Sequence, residues 1–129
     1  MKLKITDKDG VHFHYFYAFN QNGEEIGCAG VEKDNTMHYS FKELCNETPD
    51  RCAKIIYVKV VKSHRRQGAA TAILSQVTET YKDWDLFLNV SPLDMDNTVQ
   101  TLTKFYEKFG FKRCESFGSV PTMIKPATL

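Results

Sequence analysis

Between Ile55 and Val90 the hydrophobic period changes twice, and this restricts the fold more than any other feature of the chain. Ile55-Ile56-Tyr57-Val58-Lys59-Val60-Val61 is short and β-branched, as a strand in the middle of a sheet is. Apolar residues then fall at Ala69, Ala70, Ile73, Leu74, Val77 and Tyr81, the spacing of one helix face. Leu86–Val90 returns to a buried-looking strand. Strand, helix and strand in succession predict a parallel pair joined by a right-handed crossover.

The flanking segments extend this unit on both sides. His12–Phe19 is aromatic and suits a pleated surface. Asn20-Gln21-Asn22-Gly23 is a turn, with Asn-Gly offering the positive-φ positions. Ile26–Val31 reads as the return strand, and Thr36–Phe41 as another after a turn at Lys33-Asp34-Asn35. Leu3–Thr6 is a candidate edge strand, and Cys45–Cys52 reads as a loop. Downstream, Pro92–Asn97 is a loop ending in helix-capping chemistry. Val99, Leu102, Phe105, Tyr106 and Phe109 mark a second amphipathic helix. Gly110 sits where a left-handed helix end belongs. Strands are expected near Phe111–Glu115 and Thr122–Lys125. The expected fold is α/β (α+β): a mixed, mostly antiparallel sheet with one parallel pair and two main helices.

With 129 residues the chain makes a single domain, 1–129, and 42% hydrophobic against 26% charged residues permits a core and a polar surface. The formal net charge of +1 gives no general basic field, so nucleic acid is not the expected partner. No apolar stretch is long enough to span a bilayer, and Met1–Ile5 lacks the apolar core of a signal peptide. A cytoplasmic protein is expected, as monomer or homodimer. Cys28, Cys45, Cys52 and Cys114 show no metal-ligand spacing and are expected as reduced thiols, a Cys45–Cys52 disulfide being the less favoured alternative. His12 and His14 would share one face of a strand, a pairing that suits hydrogen bonding more than metal, and no metal is expected.

Chemistry concentrates in the link between strand and first helix, Lys62-Ser63-His64-Arg65-Arg66-Gln67-Gly68-Ala69-Ala70. A helix N-terminus offers unpaired N–H groups and partial positive charge to phosphate oxygens. A diphosphate can approach closely only where side chains are small, as at Gly68, Ala69 and Ala70. Arg65 and Arg66 add charge. The P-loop and dinucleotide glycine strings are both absent. Taken alone, the segment fits a solvated turn before an alanine-rich helix equally well.

The wider context gives the segment a specific likeness. Val58–Ala70 resembles the acyl-coenzyme A signature of the GCN5-related N-acetyltransferase family, a central strand running into Arg65-x-x-Gly68-x-Ala70. Phe105-Tyr106-Glu107-Lys108-Phe109-Gly110-Phe111 is similar to the family's second string. Together the two cover about residues 54–115.

The resemblance implies acetyl-coenzyme A as co-substrate. It places the pantetheine arm along the backbone of Val58, Lys59 and Val60. It places the pyrophosphate on the amides of Arg66, Gln67, Gly68, Ala69, Ala70 and Thr71, with Arg65 beside them. The thioester would lie between the strands Ile55–Val61 and Leu86–Val90, where Asn89 or Ser91 lines the gap. The N–H of Val60 is the implied oxyanion donor. Tyr106 matches the family's general acid, which protonates the departing thiolate; its alternative is a core tyrosine. Asn97 matches an asparagine near the coenzyme only loosely, being further from Tyr106 than is usual.

Two departures qualify the likeness. Relatives place a glutamate on the central strand as base, where this chain has Tyr57 and Lys59. Glu43, Asp94, Asp96 and His64 are alternatives, none singled out. The family's two helices after the first strand have no counterpart, because residues 7–35 show no helical period. The acceptor site is therefore expected to be open, or walled by Glu43–Lys54 and Ser91–Asn97. The expected function is N-acetyl transfer to a primary amine of a protein, peptide or small molecule. A coenzyme A-binding module of the same fold without turnover is the alternative, and an interaction protein docking through His12–Phe19 ranks below both.

Overall fold

The computed structural model describes residues 3–33, 51–64, 68–90, 98–114 and 122–128. The first three strands, β1 (Lys4–Asp9), β2 (Phe13–Phe19) and β3 (Glu25–Lys33), form an antiparallel meander. β1 and β2 are joined by Gly10, Val11 and His12 alone, so no helix separates them, as the lack of helical period requires. Gly10 makes this turn possible: its N–H donates to the Phe13 carbonyl at 2.8 Å, and a Cβ there would lie 2.9 Å from the same oxygen. The β2–β3 turn uses Gly23 at φ 79°, and the Asn20 side-chain oxygen accepts from the N–H groups of Asn22 and Glu24.

β4 (Cys52–Val60) is followed by a 3-10 turn at Lys62–His64 and by α1 (Ala69–Thr80), β5 (Asp85–Asn89), α2 (Val99–Glu107), β6 (Lys112–Cys114) and β7 (Thr122–Lys125). Among the described residues the strands form one seven-stranded sheet in the order β1-β2-β3-β4-β5-β7-β6. Of these described strands only β4 and β5 pair in parallel. The mixed sheet with two helices is the fold expected from the periods.

Among the boundaries that differ from the sequence expectation, three have a visible cause. β4 begins at Cys52, inside the segment read as loop, because Cys52 pairs with Asp85 of β5 and Ala53 and Lys54 are held on both sides, by β3 and by β5. β1 runs to Asp9 because its acidic end has partners: Asp7 bonds His14 at 2.6 Å and Asp9 pairs with Lys33. α2 is capped by Thr98, whose hydroxyl accepts from the Thr101 N–H at 3.0 Å, one residue beyond the expected loop. The expected strand Thr36–Phe41 lies outside the described residues, as do most of Cys45–Cys52 and all of Pro92–Asn97.

One face of the sheet carries the main core. Phe16, Ala18, Ala29, Val31, Ala53, Ile55, Leu86, Leu88 and Met123 pack with Ile73, Leu74 and Val77 of α1, and α2 adds Val99, Leu102, Phe105 and Tyr106. Gly27 lets α1 come close: a Cβ there would lie 3.0 Å from the Lys59 carbonyl oxygen and 3.1 Å from Ile73 Cδ1. The opposite face carries a smaller cluster of Cys52, Phe87 and Ile124. Cys28 is half-buried and Cys52 buried.

His14 is buried on the α1 face, 3% exposed. Its ring nitrogens meet the Tyr81 hydroxyl at 2.7 Å and Asp7 at 2.6 Å, and it stacks on Phe16. Among the described residues no three potential ligands gather around a metal position. In the same residues no helix is long and apolar enough to cross a membrane.

Candidate active site

β4 and β5 share only three paired positions, Cys52↔Asp85, Ala53↔Leu86 and Lys54↔Phe87. Beyond them β4 runs on to Val60 and β5 to Asn89 with no further ladder pair, so a gap opens between the two strands. Its cause is local. The β3–β4 register passes from Val31↔Ile55 to Gly30↔Tyr57, leaving Ile56 as an extra residue on β4. A bulge bends and twists its strand, and this one falls two residues after the last parallel pair.

The β3–β4 ladder decides which backbone groups face the gap. The Val61 N–H donates to the Ile26 carbonyl at 2.9 Å. Antiparallel bonding alternates by residue, so the main chain of Lys59 and Tyr57 turns to β3. That of Val58 and Val60 turns the other way, towards β5. Of the three positions expected to meet pantetheine, two therefore face the gap through their backbone, and Lys59 contributes to the β3 ladder instead.

α1 begins beside this region at Gly68, which adopts φ 82° and ψ 11° and makes no side-chain cap. The surroundings of Gly68 are open, with nothing within 4 Å of a notional Cβ. The Ala72 N–H is the first to bond within the helix, to the Gly68 carbonyl at 2.9 Å. The donors of Ala69, Ala70 and Thr71 thus form a bare helix start, and the first turn contains no acidic residue. Ala69 is buried and Thr71 exposed. Arg65, Arg66 and Gln67 lie outside the described residues.

Tyr106 is fixed by the way α2 ends. The Gly110 N–H donates to the Glu107 carbonyl at 3.1 Å and the Phe111 N–H to the Tyr106 carbonyl at 3.4 Å, with Gly110 at φ 97°. These are the two bonds of a Schellman closure, and the apolar contact that accompanies such closures is the edge-on Tyr106–Phe111 ring pair at 5.9 Å. Tyr106, Gly110 and Phe111 thus form one structural unit. Tyr106 packs on the cluster that also receives the side chains of Val58 and Val60. Burial pushes its phenol above the ordinary tyrosine range, so it stays protonated at neutral pH.

On the face opposite α1, the gap is bordered by Ile56 and Tyr57 of β4 and by Asn89 of β5. Tyr57 lies across the bare backbone of Gly30, where a Cβ would be 2.7 Å from its ring. Lys59 Nζ sits 4.9 Å above the same ring. Burial is the largest cause raising the Tyr57 phenol, and Cys28 and Tyr15 also contribute. Asn89 is exposed, and its side-chain oxygen accepts from the Thr122 hydroxyl at 2.9 Å. The Asn89–Thr122 contact joins residues far apart in the chain, and no local pattern announces it. His64 is half-buried and bonded to the Ser63 hydroxyl at 2.9 Å. Ser91, Asn97, Glu43, Asp94 and Asp96 lie outside the described residues.

A parallel pair that diverges beside the uncapped start of its crossover helix is the architecture of acyl-coenzyme A acyltransferase domains. The chain belongs to the acetyltransferase (GNAT) domain family, whose model matches residues 12–113. Solved structures with the same fold include a histone acetyltransferase HPA2-related acetyltransferase of Corynebacterium glutamicum, with TM-score 0.70 and 19% identity over 92% of this chain and 67% of that one. Arabidopsis thaliana NAA60, in complex with a bisubstrate analogue, has TM-score 0.65 and 15% identity over 89% of this chain and 74% of its own. The PaiA N-acetyltransferase of Thermoplasma acidophilum, in complex with coenzyme A, has TM-score 0.61 and 15% identity over 89% and 61%. No curated protein sequence matches the chain.

Proposed function

We propose that the protein is an N-acetyltransferase that moves an acetyl group from acetyl-coenzyme A to a primary amine by direct attack in a ternary complex. The observation that carries this reading is the coincidence of the β4–β5 gap with the bare N-terminus of α1. The bound coenzyme A of the PaiA enzyme and the bisubstrate analogue of NAA60 support it by analogy.

In this reading the pyrophosphate lies on the amides that begin α1, from Arg66 to Thr71, with Arg65 beside them. Gly68, Ala69 and Ala70 leave room for it. The pantetheine arm runs along β4 and takes the backbone groups of Val58 that β3 does not use. The neutral amine attacks the thioester carbonyl, an N–C bond forms, and the C–S bond breaks. Tyr106 donates its proton to the departing sulfur, a role its raised pKa suits because the phenol is protonated when needed. β4, Cys-Ala-Lys-Ile-Ile-Tyr-Val-Lys-Val, carries no carboxylate, so a base must come from elsewhere or from water. That same lack favours the second reading, a coenzyme A-binding module without turnover.

Free thiol released from acetyl-coenzyme A in the presence of a panel of amines and peptides separates the two. Release above the no-acceptor background, reduced by Tyr106→Phe, is the expected result. Coenzyme binding without release on the whole panel would leave only the binding module, and no coenzyme binding would refute both.

A further inference from the structure

The two strands that flank the gap, and β7 beyond β5, carry polar side chains. β4 offers Tyr57 and Lys59, β5 offers Asn89, and β7 reads Thr-Met-Ile-Lys. The one carboxylate on these three strands is Asp85, which is 3% exposed at the start of β5 and accepts the Ala127 N–H at 2.8 Å. Asn89 is the single exposed residue of an otherwise buried strand, two positions past the last β4–β5 pair. The Thr122 hydroxyl, on a residue 5% exposed, donates to its Oδ1 at 2.9 Å. That bond fixes the amide's orientation. It occupies the oxygen and leaves the Nδ2 group, with two N–H donors, as the outward end.

We propose that Asn89, oriented by Thr122, reads a carbonyl or carboxylate oxygen adjacent to the acceptor's amine, so that the site prefers an α-amino acid unit over a simple alkylamine. This rests on the transferase reading above. A donor fixed in place by a buried hydroxyl recognises an acceptor oxygen with little further ordering. The Lys59 ammonium above the Tyr57 ring, on the same face of the sheet, favours the same polarity of ligand. Glu25 of β3 also acts on Tyr57, so the selection rests on the oriented amide: an amine beside a carbonyl meets a matching donor, and a simple alkylamine does not. Peptide N-termini and free amino acids share this chemistry.

The test compares kcat/KM for phenylalanine amide, phenylalanine and phenethylamine, which share an aromatic side chain and a primary amine. They differ in carrying a carbonyl, a carboxylate or neither. In the native protein the first two are expected to be favoured, the amide standing for a peptide N-terminus and the carboxylate for a free amino acid. Asn89→Ala is expected to lower the preference for the better of the two over phenethylamine by about fivefold, the worth of one hydrogen bond. Asn89→Asp keeps the oxygen that Thr122 uses and removes both donors, so it tests the readout with the brace in place. It is expected to lose the same preference while coenzyme A affinity and Tm stay near the native values. Unchanged preference in both variants, with turnover retained, overturns this inference alone and leaves Asn89 a brace between β5 and β7. A native protein inactive on all three amines overturns the transferase reading and this inference with it.

Discussion

Gly68 allows coenzyme binding and folding to be pulled in opposite directions. The perturbation is a matched pair, Gly68→Gln and Gly68→Glu. At φ 82° any L-residue is strained, by about 1–2 kcal/mol, equally for both variants. Neither side chain meets a clash near the backbone, because nothing lies within 4 Å of a Cβ built there. They differ in charge. A carboxylate at the start of α1 opposes the helix dipole favourably, so Gly68→Glu is expected to be the more stable of the two by about 0.3–1 kcal/mol. For a bound pyrophosphate the sign reverses. Two phosphate charges about 6 Å from the new carboxylate cost about 0.7 kcal/mol each in a water-like dielectric, and more where water is excluded. Coenzyme A should therefore bind Gly68→Glu at least about tenfold more weakly than Gly68→Gln. Raising salt from about 0.1 M to about 1 M shortens the screening length from about 10 Å to about 3 Å and should close most of that difference. Titration calorimetry at both salts gives the affinities, and urea unfolding gives the stabilities. Equal coenzyme affinity of the two variants at low salt would refute the placement of the pyrophosphate at this helix start.

Other expectations follow from single contacts. Tyr106 has a folded-state pKa above its ordinary 10.0, so the native state resists losing that proton while the unfolded state does not. Stability should hold below pH 10 and fall as pH rises beyond it, less steeply in Tyr106→Phe; thermal melts between pH 8 and pH 11 check this. Gly27→Ala forces the Lys59 carbonyl or Ile73 to give way and should cost about 1–3 kcal/mol, read as a lowered urea midpoint. His14→Ala removes the bonds to Asp7 and Tyr81 and the stack on Phe16, and should cost about 2–4 kcal/mol in the same assay.

The elements were legible in the sequence where one local rule decided them. The periods of 55–61 and 69–81 are set by which side chains face the core. Gly23 and Gly110 stand where a positive φ is needed, and both adopt it. The string Phe105–Phe111 is readable because a Schellman closure needs a glycine and an apolar partner at fixed offsets. What escaped depends on partners distant in the chain. Ala53 has weak strand preference and becomes strand because β3 and β5 hold it from both sides, and Cys52 joins through Asp85 of β5. His14 looked like half of a histidine pair, but its surroundings come from Asp7 on the neighbouring strand and from Tyr81 at the end of α1. Ile56 is one apolar residue among several, and only the pairing with β3 marks it as the bulge.

The bulge at Ile56 also explains why β4 can be a core strand and a candidate coenzyme edge together. In a regular strand the direction of the side chain and the direction of the backbone bonds alternate in step. After the bulge, Val58 and Val60 send their side chains to the α1 cluster, and their backbone groups then face β5. Tyr57 and Lys59 do the reverse, placing polar side chains on the opposite face and bonding β3 through the main chain. The alternation of apolar and polar residues from Tyr57 to Val60 therefore encodes both the packing and the backbone edge. A slip of one residue would exchange the two sets, turning Lys59 towards Ile73 and presenting to the gap a different set of amides. Packing holds that register, because burying an unpaired ammonium in the α1 cluster is far costlier than exposing a valine. The geometry proposed to receive the coenzyme is thus held by the core itself, and it needs no residue reserved for that purpose.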